Sequence, residues 1–254
     1  MSNNNFFFLK IGLDLHWGYA IRRTLYSKTR DSYLLPPPTT IIGALSYGYA
    51  RILNLPEEIY GVESISTAER LRKHIISVNI KVNAPLHHYS DLNRIWWFRV
   101  REKKTKFDSV ALGKVYTSVH KRPSIETILL FKEKVNIEDL IKAAYSIPRL
   151  GCKEGIVSVK YVKYGYAKRL DVEEAETFYS FWYDLVGEFK GNVYLQQVVD
   201  YRKTPISRYA RVPLRLHAYP YDSFSKTPVK VTAKIDPSRS AFYDVEGEVI
   251  IVEL

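Results

Sequence analysis

The sequence predicts an α+β protein, and three observations carry that reading. Apolar and polar residues alternate in several separate runs, as in strands with one buried face. Other runs place apolar residues three or four apart, as in helices with one apolar stripe. The two kinds follow one another as strand, helix, strand, strand, helix, strand, before a strand-rich remainder.

Phe7, Leu9, Ile11, Leu13, Leu15 and Trp17 alternate with Lys10, Gly12, Asp14 and His16, which predicts a half-buried first strand. A basic segment with Arg22, Arg23, Lys28 and Arg30 follows. Residues 33–53 read YLLPPPTTIIGALSYGYARIL. Three prolines stiffen the approach to a helix, where proline is tolerated only at the start. Thr39 or Thr40 is placed to cap the first turn. Ile42, Leu45, Tyr49 and Ile52 form the apolar stripe. Gly43, Ala44, Ser46, Gly48 and Ala50 between them suggest close packing on something flat, such as a sheet. Asn54-Leu55-Pro56 stops the helix. Ser66 and Glu69 have the spacing of a capping box, which marks a short helix. Ile76, Val78, Ile80 and Val82 give the second strand.

Residues 85–122 predict a long hairpin that projects from the body. Its arms carry the strand-like runs 95–100 and 110–120, and its tip is the charged run Arg101-Glu102-Lys103-Lys104-Thr105-Lys106. Ile128-Leu129-Leu130-Phe131 is a buried strand. Asn136 caps the next helix, with Ile137, Leu140, Ile141 and Ala144 on one face, and Pro148 ends it. The basic loop Arg149-Leu150-Gly151-Cys152-Lys153-Glu154-Gly155 then feeds a strand over 156–164. This order is the ferredoxin-like (RRM-like) βαββαβ pattern, with the hairpin inserted between the second and third strands.

A boundary is expected near 168. It leaves a ferredoxin-like domain over 1–168 and a smaller β-rich domain over 169–254. The second part is expected to open with a short helix, because Asp171 and Glu174 resemble a capping box and Ala175, Phe178, Trp182 and Leu185 form a stripe. Strands are expected over 193–201, 212–218, 229–235 and 245–252, punctuated by Thr204-Pro205, Pro220 and Asp236-Pro237.

Composition narrows the function. Lys plus Arg number 38 against 27 Asp plus Glu, a formal charge of +11. That excess favours a polyanionic partner, and the 20 tyrosines and four tryptophans supply faces for base stacking. The single Cys152 excludes an internal disulfide and fits a reducing, cytoplasmic compartment. No apolar run approaches the length of a membrane span. One Cys, one Met and only Gln196 and Gln197 as glutamines fit a heat-adapted source. No metal site, P-loop, dinucleotide fingerprint or nucleophile elbow is visible, so no cofactor is expected. The one enzymatic option is metal-independent RNA cleavage, with His120 and Lys121 at the hairpin base, or His16, as the acid–base groups.

Two motifs, SYLLPPPTTIIGAL and IPRLGCKEGIVSV, resemble in their order and separation the fifth numbered family of CRISPR-associated proteins. That family belongs to the RAMP superfamily, and the likeness is greatest to the archaeal type I-A branch. The resemblance implies a ferredoxin-like domain with a β-hairpin thumb and a subunit of the Cascade complex in antiviral defence. It implies a grip on the 5′ handle of the guide RNA, a capping position beside the backbone RAMP subunits and large subunit, and only indirect contact with target DNA. It places the helix start Pro36–Thr40, with Thr39 and Thr40, and the loop Arg149–Gly155, with Gly151, Lys153 and Gly155, near the handle RNA. By charge, Arg22, Arg23, Lys28 and Arg30 join Arg149 and Lys153 as expected phosphate contacts, with backbone N–H groups of the helix start and the glycine loop beside them. Trp96, Trp97, Arg99, Arg101, Lys103, Lys104 and Lys106 would make the thumb surface that meets a neighbour. One branch cuts precursor RNA with Tyr, Lys and His. Only the His120-Lys121 pair matches loosely, which favours binding without catalysis.

Overall fold

The computed structural model describes residues 6–23, 31–59, 65–118, 123–132, 135–203 and 213–254. Strands β1 (Phe6–Leu15) and β2 (Gly18–Tyr19) precede helix α1 (Pro38–Ile52). A two-residue pair, β3 (Glu58–Ile59) and β4 (Ile65–Ser66), leads to α2 (Ala68–Arg72) and β5 (Ile75–Asn83). A hairpin follows, β6 (Leu86–Arg99) and β7 (Lys104–Thr117), then β8 (Ser124–Phe131), α3 (Ile137–Tyr145) and β9 (Val157–Leu170). The remainder is β10 (Glu174–Thr177), β11 (Phe181–Trp182), a 3-10 turn (Tyr183–Leu185), β12 (Val186–Lys190), β13 (Tyr194–Val199) and β14 (Leu214–Tyr219). It ends with β15 (Tyr221–Asp222), β16 (Thr227–Pro228), β17 (Val231–Ile235), β18 (Ser240–Val245) and β19 (Glu248–Glu253).

Six strands form the central sheet, in the order β19-β18-β9-β1-β8-β5, each antiparallel to its neighbours. Odd-numbered residues of β1 (Leu9, Ile11, Leu13, Leu15) share a core with Ile41, Ile42 and Leu45 of α1 and Leu140, Ala143 and Ala144 of α3. On the other face Phe8, Ile128 and Leu130 pack with Tyr179, Tyr243, Val245 and Ile250. Strand β1 is therefore buried on both faces. Alternation predicted one wet face, but Lys10 on that face is only 7% exposed. Its ammonium lies between Glu126 and Glu248, which Lys81 also bridges. Burial pushes the Glu248 carboxyl up, but hydrogen bonds from Lys10, Tyr179 and Lys81 outweigh it and bring the pKa to about 2. Gly12 leaves room for the Tyr161 ring, whose Cε1 would lie 2.5 Å from an added Cβ.

Helix α1 starts earlier than predicted. Pro37 is the N-cap and makes no side-chain cap bond, Pro38 is already helical, and Thr39 and Thr40 sit inside the first turn. Proline's fixed φ suits the start of a helix, where its missing N–H would have no intrahelical partner, so the helix begins at the prolines rather than at a threonine cap. Among the small residues of α1, Gly48 packs on a second helix rather than a sheet: its Cβ would stand 2.5 Å from the Ala143 carbonyl oxygen of α3. In α3 the expected cap is present, with Asn136 Oδ1 accepting from Glu138 N at 3.1 Å.

The helix expected after Asp171 is absent; residues 174–190 are β10, β11, the 3-10 turn and β12. Trp182 and Leu185 are buried as their stripe suggested, but Trp182 from strand β11 and Leu185 from the 3-10 turn. Long-range hydrogen bonds fix that backbone: Thr177 Oγ1 donates to Val249 O at 2.6 Å, and Ile80 N donates to Ser180 Oγ at 2.9 Å. The boundary expected at 168/169 falls inside β9, and β18 and β19 extend the same sheet. The strand expected over 245–252 is the second arm of the β18–β19 hairpin, closed by Glu246 (φ 55°) and Gly247 (φ 82°).

Candidate nucleic-acid interface

A short arm, residues 18–23, ties the hairpin to the basic loop. Gly18 and Tyr19 pair with Tyr116 and Val115 of β7. A Cβ at Gly18 would meet the Val115 carbonyl oxygen at 1.9 Å, so only glycine permits this crossing. Ala20 then bridges Gly151 in parallel fashion, and Cys152 N donates to Ala20 O at 2.9 Å. Arg22 bridges Ser32, and Arg23 pairs with Asp31 at 3.1 Å. The same Asp31 takes His88 of β6 at 2.6 Å. His87 turns the other way and stacks on Tyr116.

The basic loop is closed tightly. Arg149 bridges Ile156, Leu150 N donates to Gly155 O at 2.8 Å, and Gly155 N donates to Cys152 O at 3.1 Å. Gly151 has φ +70° and would place a Cβ 2.6 Å from Ala20 O. The N–H groups of Leu150, Cys152, Gly155 and Ile156 all donate within the chain. The loop also offers an anion its exposed Arg149 and Lys153 side chains. Lys114 of β7 clamps the loop to the hairpin, 3.0 Å from Glu154 and 2.9 Å from Asp91. Hydrogen bonds to Asp91 and then Glu154 raise the Lys114 pKa, so the clamp stays charged. Trp17 Nε1 donates to Glu154 O at 2.5 Å from the end of β1. His16 lies beside it with Nε2 2.7 Å from Ser158 Oγ.

Between α1 and this loop lies an open cleft of about 270 Å³ lined by Thr40, Gly43, Ala44, Tyr47, Pro148, Arg149 and Gly151. Two guanidinium groups lie near the Tyr47 ring, Arg51 at 5.3 Å and Arg149 at 5.9 Å from its centroid. Gly43 is exposed here, and among the described residues a Cβ on it would meet nothing within 4 Å. Cationic side chains, an aromatic face and a floor without side chains suit a nucleotide strand: cations for phosphates, the ring for a base.

Of the expected residues, the cleft gathers Thr40, Arg149 and Gly151, with Arg22 and Arg23 on the adjoining arm. Thr39 is 8% exposed and faces the core, and Gly155 is buried inside the loop. Lys28, Arg30, His120 and Lys121 lie outside the described residues. Sequence reasoning missed Tyr47, Gly43 and Arg51. The signal was present: 40, 43, 44, 47 and 51 form the second stripe of α1, opposite the apolar one.

The hairpin carries its aromatics outward. Trp96 is 71% exposed, and Trp97, Phe98 and Phe107 are exposed as well. They pack on one another and on cations rather than on the body: Trp96 meets Phe107 edge-on at 5.2 Å, and Arg99 lies 4.7 Å over Trp97. Arg101, Lys103, Lys104 and Lys106 are exposed around the turn. At about 3.3 Å per residue, the turn stands roughly 40 Å from the hairpin base. It forms a surface separate from the cleft.

Comparison with known proteins places this architecture. The family model for CRISPR-associated protein (Cas_Cas5) matches residues 16–209, which contain both the α1 motif and the basic loop. The chain is 31% identical over 178 residues to the CRISPR system aCascade subunit Cas5 1 of Saccharolobus solfataricus, covering 67% of this chain and 70% of that protein. It is 29% identical over 177 residues to the CRISPR-associated protein Cas5 3 of the same organism, with the same coverage. A solved CRISPR protein from Archaeoglobus fulgidus shares the fold, with a TM-score of 0.68 at 22% identity over 98% of this chain and 99% of that one. The β-rich fold and the family match over most of its length agree: the chain belongs to the Cas5 family of CRISPR-associated proteins.

Proposed function

We propose that this protein is a non-catalytic RNA-binding subunit of a type I-A Cascade, gripping the 5′ handle of the CRISPR RNA and capping the backbone filament in the cytoplasm. The observation that carries the reading is convergence. Thr40 and Arg149, more than a hundred residues apart in the chain, line one cleft with Tyr47, and Arg51 lies near the same ring. Phosphate contacts from Arg22, Arg23, Arg149 and Lys153 would fix the strand, and Tyr47 would stack a splayed base. The exposed aromatic and basic end of β6–β7 is the thumb, offered to a backbone RAMP subunit. The large subunit and target DNA are contacts of the assembled complex. The fold itself is read as ferredoxin-like: β9-β1-β8-β5 stand in the chain order fourth-first-third-second, with α1 and α3 on one face.

Labelled repeat RNA, with and without its handle sequence, mixed with the protein in EDTA tests the reading on parallel native and denaturing gels. The expected result is an uncut shift that requires the handle, with a salt slope of about −0.7 per phosphate neutralised. Equal shifts on both RNAs would make the protein a general RNA binder. Specific cutting, lost on His120→Ala, would make it a processing endoribonuclease.

A further inference from the structure

A second basic cleft, of about 540 Å³, lies at the opposite end of the central sheet from Arg149. It forms where β1 and β5 begin and β8, β9 and β19 end, roughly 30 Å along β1 from the first cleft. Five cations line it from different parts of the chain: Arg72, Lys73, Lys132, Arg169 and Arg202. Arg72 is held by Glu69 and donates to Tyr201 O at 2.7 Å. Arg202 meets Glu253 at 2.8 Å, but that carboxylate is also taken by Arg215 at 2.8 Å. Among the described residues, Lys73, Lys132 and Arg169 have no carboxylate within ion-pair distance, and all three are exposed. Beside them the half-buried Phe6 ring leans on Tyr243, with centroids 5.4 Å apart.

Glu253 also lines the cleft and is shared by Arg202 and Arg215, so the three cations without a carboxylate partner, Lys73, Lys132 and Arg169, leave a net positive charge that an anion from outside would balance. The volume is that of a small-ligand site. An aromatic edge beside the cations suits a base attached to the phosphate. We infer that this cleft binds a phosphate-bearing nucleotide, either free or within a single strand, at a site distinct from the Arg149 cleft.

The test weakens the first site and reads the second. In protein carrying Arg149→Ala and Lys153→Ala, labelled hexauridylate is titrated at low salt by fluorescence anisotropy. Adding Lys73→Glu, Lys132→Glu and Arg169→Glu is expected to weaken binding at least tenfold with an unchanged melting temperature. Displacement of the hexamer by uridine monophosphate would assign the site to free nucleotide; displacement only by unlabelled hexauridylate would assign it to a strand. Unchanged affinity overturns the inference, as does displacement by hexaglutamate at a lower concentration than by hexauridylate, which would give the cleft to an acidic protein segment. Iodouridine RNA crosslinked to the unmutated protein supplies a second reading free of folding effects. Crosslinks on the peptide containing Phe6 are expected, and crosslinks confined to other peptides overturn the inference. Hexauridylate carries no handle, so this outcome is independent of handle recognition.

Discussion

Helix α1 holds two glycines five residues apart, and they answer to different demands. At Gly48 a Cβ would stand 2.5 Å from the Ala143 carbonyl oxygen and 3.0 Å from the Ala143 Cα. At Gly43 it would meet nothing within 4 Å. Each glycine costs the helix about 1 kcal/mol relative to alanine. On the α3 side that cost is offset by the close crossing of two helices. On the cleft side nothing among the described residues requires it. One face of the helix is explained by packing, and the other is left open among the described residues.

The largest effect should come from the packed face. Gly48→Leu drives a side chain into α3 and is expected to destabilise the protein by roughly 3 kcal/mol, measured by urea unfolding. A smaller loss would mean that α3 can shift away, and the contrast between the two faces would weaken. Acid should also act on the fold rather than on the cleft. Burial, helped by Arg215, lowers the His217 pKa to about 3 from the ordinary 6.5. As pH falls below 6.5, the unfolded chain takes up a proton that the folded one refuses, so stability declines until about pH 3. The loss attributable to His217 is roughly 3 kcal/mol between pH 6.5 and pH 4. Glu248, lowered to about 2, adds a loss that starts as pH drops through 4.5. His217→Gln should flatten the first part of that decline. RNA binding through arginine and lysine should stay nearly level from pH 8 to pH 6.5, and a parallel fall there would tie the cleft to a titrating group.

These differences also show what the sequence could and could not reveal. The periodicities of β1, β5, α1 and α3 were legible because each element carries one dominant period over nine residues or more. Residues 174–190 misled because helical spacing of Ala175, Phe178, Trp182 and Leu185 competes with long-range bonds to Val249 and Ile80 that no local pattern encodes. The second burial of β1 was hidden for the same reason: Lys10 reads as a solvent residue until Glu126 and Glu248 are brought to it. Thr40, Arg149 and Gly151, which the fold brings to one cleft, stand out in the sequence because turn chemistry and charge are local. Tyr47 was not, since only the fold places it beside Arg149.

Side chains of the cleft come next in size. Arg149→Ala with Lys153→Ala is expected to weaken RNA binding about tenfold at low salt and to lower the salt slope by about 1.4, twice the single-strand value per phosphate. The melting temperature should not move, because both residues are exposed. A melted protein would place them with Gly48 as parts of the fold.

The smallest effect is the sharpest test, because stability and binding should move in opposite directions. Gly43→Ala has open space for its methyl group and an ordinary helical backbone. By helix propensity alone it should stabilise the isolated protein by up to about 1 kcal/mol. If the cleft receives a nucleotide strand against the bare helix surface, the same methyl group stands where that strand must approach, and RNA affinity should fall a few-fold. Urea unfolding and RNA titration on one preparation decide it. A variant that is more stable and binds RNA as well as the parent would show that Gly43 faces solvent in the complex too. The RNA would then have to be held by Tyr47, Arg149 and the arm residues without close approach to α1. A variant that binds less well while folding more tightly would show that this glycine is kept for the partner, at a cost the fold alone does not explain.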